Sequence, residues 1–108
     1  MAFDAVPWRS TSHEGVFVHF YRSDERTRRV LALIRMQPGC GYPAHRHRAV
    51  EEVLVLSGGY RDEAGVHTRG TRVRYEPGSE HGPVAIGQPG DEPCVLLALA
   101  HEGVKLLR

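Results

Sequence analysis

Hydrophobic positions along this chain fall in short stretches, most of them alternating with polar positions, and a cluster of turn residues closes each stretch. Residues 16–22 place Val16, Val18 and Phe20 on one side and Phe17, His19 and Tyr21 on the other, and their β-branched and aromatic content suits a pleated strand. Residues 30–36 predict its partner, which makes the charged run 23–29 the loop of a hairpin in water. Pro38, Gly39 and Gly41 then interrupt the pattern, because proline has no ladder donor and glycine admits turn geometries. A further strand begins near Pro43, carries His45 and His47 and resumes over 51–56. Residues 60–62 and 66–68 flank a Glu63-Ala64-Gly65 turn, and stretches at 71–75, 81–86, 95–100 and 104–107 complete the series. About nine or ten short strands, with no stretch of helical period, predict an all-β sandwich or barrel.

Composition agrees with this reading and narrows the partners. A chain of 108 residues has room for one domain, here with residues 1–14 as an N-terminal extension. Its 12 Gly and 7 Pro suit many turns rather than long helices. Fourteen basic and 13 acidic residues, spread evenly for a net charge of +1, leave no electrostatic footprint for a nucleic acid or an anionic membrane, so neither is expected as a partner. The apolar run Cys94–Ala100 is far shorter than the roughly 20 residues that span a bilayer. Met1 to Ser10 carries no apolar run of signal-peptide type, which makes a cytoplasmic location the expectation. Cys40 and Cys94 make neither a disulfide framework nor a CxxC pair and read as two reduced thiols.

The chemistry is concentrated in His45-Arg46-His47 followed by Glu51. On an extended strand residues two apart face the same way, so His-x-His forms a two-imidazole clip. Taken alone, such a pair also suits a solvated face. Glu51 shares the parity of the clip if the strand resumes after residues 48–50, and Val53 and Val55 continue that face as interior filling. A carboxylate aimed into a core costs several kcal/mol unless it is paired, and a divalent cation shared with two imidazoles removes that cost. His81, just after the Pro77-Gly78 turn, is the candidate fourth ligand from another strand. His13, His67 and His101 have polar neighbours and no spaced partner, and are expected to be exposed; His19, between Phe17 and Tyr21, is expected in a core or interface with a satisfied hydrogen bond.

In this setting the chain resembles the cupin superfamily. Its first motif, with glycine, His-x-His, glutamate and glycine at fixed spacing, is met by Gly39, His45, His47, Glu51 and Gly58, and its second by Gly70, Gly78 and His81. The second copy is imperfect: proline stands one place late at Pro77, Glu76 fills its position, and Ala85 replaces the terminal asparagine. Neither departure touches a ligand. Arg35 to Gly39, Tyr42 to His47, Glu51 to Gly58 and Glu76 to Pro83 are most similar to the ChrR-like cupin group, over about Phe17 to Leu107.

The resemblance implies a single-domain cupin β-barrel, a double-stranded β-helix or jelly roll, with a divalent metal held by His45, His47, Glu51 and His81. Zinc would suit a closed or structural site, whereas iron, manganese, nickel or copper with free positions would admit a chelating substrate and dioxygen. That group includes cupin domains of zinc-binding anti-sigma factors and small diketone-cleaving dioxygenases. The leading expectation is a metal-dependent cupin that binds or oxidises a small organic molecule in the barrel; a non-enzymatic metal-binding sensor or regulatory module is the alternative, and a vestigial site that binds metal weakly is a third reading. With no anti-sigma domain ahead of it in these 108 residues, the chain is not expected to act alone as those regulators do. Glu52, Tyr60 and Arg35 are candidates to support the ligands. Residues 95–100 are apolar at both parities, which predicts a second covered face and hence a homodimer.

Overall fold

The computed structural model describes residues 3–101 and 104–106. Among them are twelve strands and no helix, so no helix is long and apolar enough to cross a membrane. In chain order the strands are β1 (Arg9–Ser10), β2 (Val16–Asp24), β3 (Arg29–Met36), β4 (His45–His47), β5 (Glu51–Ser57), β6 (Gly59–Asp62), β7 (Gly65–Thr68), β8 (Arg72–Tyr75), β9 (Glu80–His81), β10 (Val84–Ala85), β11 (Cys94–Ala100) and β12 (Val104–Leu106). They form a six-stranded sheet in the order β1-β2-β3-β11-β5-β8 and two three-stranded sheets, β10-β6-β7 and β12-β4-β9, with every pair antiparallel. The architecture is all-β, as expected, with the large sheet as one wall and the small sheets carrying most of the polar machinery.

β11 lies between β3 and β5 and pairs with both along nearly its whole length. That central position accounts for the burial of its inner face, while its outer face is apolar as well. Cys94, Leu96, Ala98 and Ala100 are buried on the inner face beside Met36, Val53 and Val55. Val95 is buried on the outer face, while Leu97 and Leu99 lie half-buried against Leu31 and Leu54 in a shallow outer depression. β2 keeps the predicted faces as far as Phe20: Val16, Val18 and Phe20 border the interior cavity. The register then skips Tyr21, a bulge that turns the strand's far end outward and leaves Phe20 and Tyr21 exposed.

Three details depart from the sequence reading. The stretch expected as one strand at 81–86 is two, because Pro83 has no N–H for a ladder and follows Gly82; β9 pairs with β4 and β10 with β6. The split is what brings His81 opposite His45. The N-terminal extension contributes β1 to the large sheet, and the Arg35 guanidinium lies 4.8 Å from the Trp8 ring centre and 4.6 Å from that of Phe17. Leu107, the expected end of the last strand, lies outside the described residues.

Turns at the motif glycines set where the ligand strands begin and end. Gly58 has φ +61°, and a Cβ there would lie 2.7 Å from the Pro93 carbonyl oxygen, so both backbone conformation and space require glycine. Gly78, φ +86°, donates its N–H to the His47 carbonyl, and His47 N–H bonds Ser79 O in return, which ties the turn before β9 to β4.

Candidate metal centre

β4 is only three residues long, and its alternation does what the His-x-His spacing predicts: His45 and His47 are buried and Arg46 between them is exposed. Outside, Arg46 forms an ion pair with Glu80 at 2.7 Å, the cross-strand partner of Arg46 in β9. Residues 48–50 bend the chain into β5, whose inner face starts with Glu51 and continues with buried Val53 and Val55. His45, His47, Glu51 and His81 each bring one ligand atom into a group lying within 4.8 Å of one another. All four sequence-predicted ligands are therefore brought together.

Hydrogen bonds decide which nitrogen of each imidazole faces the centre. His45 Nδ1 donates to the Pro43 carbonyl at 3.0 Å. His47 Nδ1 lies 3.0 Å from Ser79 Oγ and 3.2 Å from Ser79 O; because Ser79 Oγ already donates to the Glu76 carbonyl, it accepts from the histidine. His81 Nδ1 donates to Asp62 Oδ2 at 2.9 Å. With the hydrogen of each neutral ring on Nδ1, all three Nε2 atoms are left as lone pairs.

Those lone pairs meet only other acceptors. His45 Nε2 and His81 Nε2 are 2.9 Å apart, and His47 Nε2 is 2.8 Å from Glu51 Oε1. With the rings neutral, four acceptor atoms converge here, an arrangement whose mutual repulsion a cation standing among them relieves. Ligands about 2.1 Å from one ion and at right angles to each other lie about 3 Å apart, the spacing of both close pairs. The donor set therefore fits a divalent ion. Burial lowers the pKa of both His45 and His81, which keeps the two rings neutral and ready to coordinate.

Aromatic rings brace the cluster. His47 stacks on Tyr75 with ring centres 4.8 Å apart, His81 tilts against the same ring at 4.2 Å, and Tyr42 meets His45 edge-on at 5.4 Å. On one side of the ligands opens a cavity of about 340 Å³ reached by His45, Glu51 and His81 and walled by Val16, Ile34, Met36, Leu96 and other apolar side chains. Its described lining contains no lysine or arginine.

With the site defined, comparison with known proteins places the chain. The ChrR cupin-like domain family matches residues 1–100. The chain belongs to that family. Among solved structures, this ChrR-like cupin domain is similar to a chain of the Rhodobacter sphaeroides complex of SigE with the anti-sigma ChrR, at 29% identity and a TM-score of 0.78, covering 92% of this chain and 50% of that one. It is also similar to an RmlC-like cupin protein of Ralstonia eutropha (19% identity, TM-score 0.85, 94% of this chain and 67% of that one). A third relative in fold is the acetylacetone dioxygenase of Acinetobacter johnsonii (12% identity, TM-score 0.77, 87% of this chain and 64% of that one). The ChrR-like domain thus spans half of the first of these chains and about two thirds of the other two. No curated protein matches it.

Around the ligands, the sequence reading of the ChrR-like domain succeeds less well. Tyr60 does belong to the support of the site, fully buried and bonded through Tyr75 to Asp62. Glu52 and Arg35 do not: Glu52 lies on the outer face 3.6 Å from Arg74, and Arg35 is held by Trp8 and Phe17. His67, expected to be exposed, is half-buried and bonds Asp62 Oδ1 at 2.9 Å, while His13 borders the cavity edge-on to Tyr42 and His101 is half-buried. His19 is half-buried against Tyr21 at 4.7 Å, with no side-chain hydrogen bond among the described residues. Asp62, Tyr75 and Ser79 went unrecognised. A signal for Asp62 existed, since it shares the parity of Tyr60 at the end of the expected strand 60–62, but no role was read for it.

Proposed function

We propose that this domain is a small metal-dependent cupin that holds one divalent ion, zinc, iron, manganese or nickel, through His45, His47, Glu51 and His81, and that it binds a small organic molecule or, with a redox-active metal, oxidises it in the manner of a dioxygenase. The observation that carries the proposal is the cavity: an apolar chamber of about 340 Å³ opens directly onto three of the four ligands. Held by these four side chains, the ion would polarise a chelating oxygen and, if redox-active, would supply electrons to dioxygen. The chain's own residues bind and orient. Val16, Ile34, Met36 and Leu96 desolvate an apolar body. Likeness in fold to the acetylacetone dioxygenase makes small diketones the first compounds to try, with phenolic compounds next. The test is anaerobic reconstitution with each metal followed by oxygen uptake; uptake with at least one metal and one compound is expected, and none with any combination contradicts the enzyme.

A specific observation favours a second reading. At 29% identity to a chain of the SigE–ChrR complex, the domain is also suited to be a non-enzymatic metal-binding sensor or regulatory module. Metal loss on oxidant exposure together with release of a bound protein would select it. We further propose a homodimer through the outer depression lined by Leu31, Leu54, Leu97 and Leu99, for which light scattering at micromolar concentration should give twice the chain mass and a monomer would be the adverse result. Two free thiols, Cys40 and Cys94, suit a reducing compartment, and we place the protein in the cytoplasm.

A further inference from the structure

We propose that Asp62 is a positioning residue of the centre, which fixes His81 in the tautomer that points Nε2 at the ion and strengthens it as a ligand; this rests on the metal reading above. The Asp62 carboxylate has no exposed side-chain surface and accepts four hydrogen bonds. Oδ1 takes the Ala64 N–H at 3.0 Å and His67 Nε2–H at 2.9 Å, while Oδ2 takes the Tyr75 hydroxyl at 2.6 Å and His81 Nδ1–H at 2.9 Å. An ionised carboxylate only accepts, so every partner must donate, and the direction of the whole network follows. Tyr75 spends its one hydrogen on Asp62, and the Tyr60 hydroxyl, 2.5 Å away, therefore donates to Tyr75.

The same logic separates the three histidines. His45 and His47 give their Nδ1–H to neutral acceptors, Pro43 O and the oxygens of Ser79, whereas His81 gives its own to a buried anion. A carboxylate behind an imidazole raises the ring's basicity at the other nitrogen and holds its plane. Geometry ties this to the barrel wall: one carboxylate at the end of β6 joins the following turn, β7, β8 and the ligand strand β9. Four donors around two oxygens leave no place for a proton on the carboxyl group, which is the geometry of an ionised acceptor.

Asp62→Asn keeps the shape but replaces two acceptor sites by an NH₂ group. Titration with cobalt(II), read by its visible ligand-field absorption, should show affinity falling by about 10- to 100-fold with a changed spectrum. In the metal-free natural protein, nitrogen-15 NMR of the imidazoles should find the His81 hydrogen on Nδ1, a measurement that needs no variant to fold. Equal cobalt(II) affinity and an unchanged spectrum in Asp62→Asn, or the His81 hydrogen on Nε2 in the natural protein, would overturn the proposal. A natural protein that binds no cobalt(II) at all would overturn the metal reading and this proposal with it, an outcome distinct from tight binding that the substitution leaves untouched.

Discussion

The two ends of the barrel interior are built on opposite principles. Around the ligands three histidines, Glu51, Asp62, Tyr60 and Tyr75 crowd polar atoms together; away from them Val16, Ile34, Met36, Leu96 and Ala98 line the cavity with apolar side chains. The apolar end is stable by burial and tolerates exchange of shape for shape. The polar end is tolerable only because every outer nitrogen has an acceptor and every inner lone pair converges on one point. A deletion at the apolar end should thus cost stability and spare the ion, whereas a deletion at the polar end should be felt through a whole network.

The largest effect on stability belongs to the apolar end. Met36 is 1% exposed, and Met36→Ala should lower unfolding free energy by about 2–5 kcal/mol in chemical denaturation while metal affinity changes little. A matching loss of affinity would show that the two ends are not separable. Next comes Tyr75→Phe, which removes the donor to Asp62 and leaves the Tyr60 hydroxyl without its acceptor; a cost of about 1–3 kcal/mol is expected, and a neutral result would mean the network relaxes freely. Last comes pH, read in the metal-free protein. Burial lowers the folded-state pKa of His45 and His81, whereas in the unfolded chain imidazoles titrate near about 6.5. Between those values the unfolded state binds more protons, so this stability is complete above about pH 6.5 and drains as pH falls. Asp62, depressed to about 2, contributes stability that is complete above the usual carboxylate range and drains progressively below it, so it does not blur the imidazole window. Urea midpoints should fall between about pH 7.5 and 5.5, and equal midpoints would contradict the burial argument.

The contrast also explains what could be read from the chain. Strand alternation is local, so β2, β3, β5 and β11 were legible in the spacing of Val, Ile, Leu and Ala, and the ligand clip on β4 in the spacing of two histidines. His81 was found through its turn and its motif, not through any local pattern, because its partner His45 is 36 residues away. Asp62 was missed for the same reason without a motif to help: nothing beside it in sequence reveals the three side chains that converge on it. Glu52 was misjudged by one step of parity, since its neighbour Glu51 faces the three histidines and it faces Arg74. The split of 81–86 was visible in Pro83, whose missing donor forbids an unbroken ladder.

Metal stoichiometry is the direct test of the convergence of His45, His47, Glu51 and His81. Elemental analysis of protein made without a histidine tag, before and after reconstitution, should find about one divalent ion per chain in the natural protein and a small fraction of that in His47→Ala. A natural protein that stays below about a tenth of an ion per chain after reconstitution, or an His47→Ala variant that fills as readily as the natural one, would contradict the account.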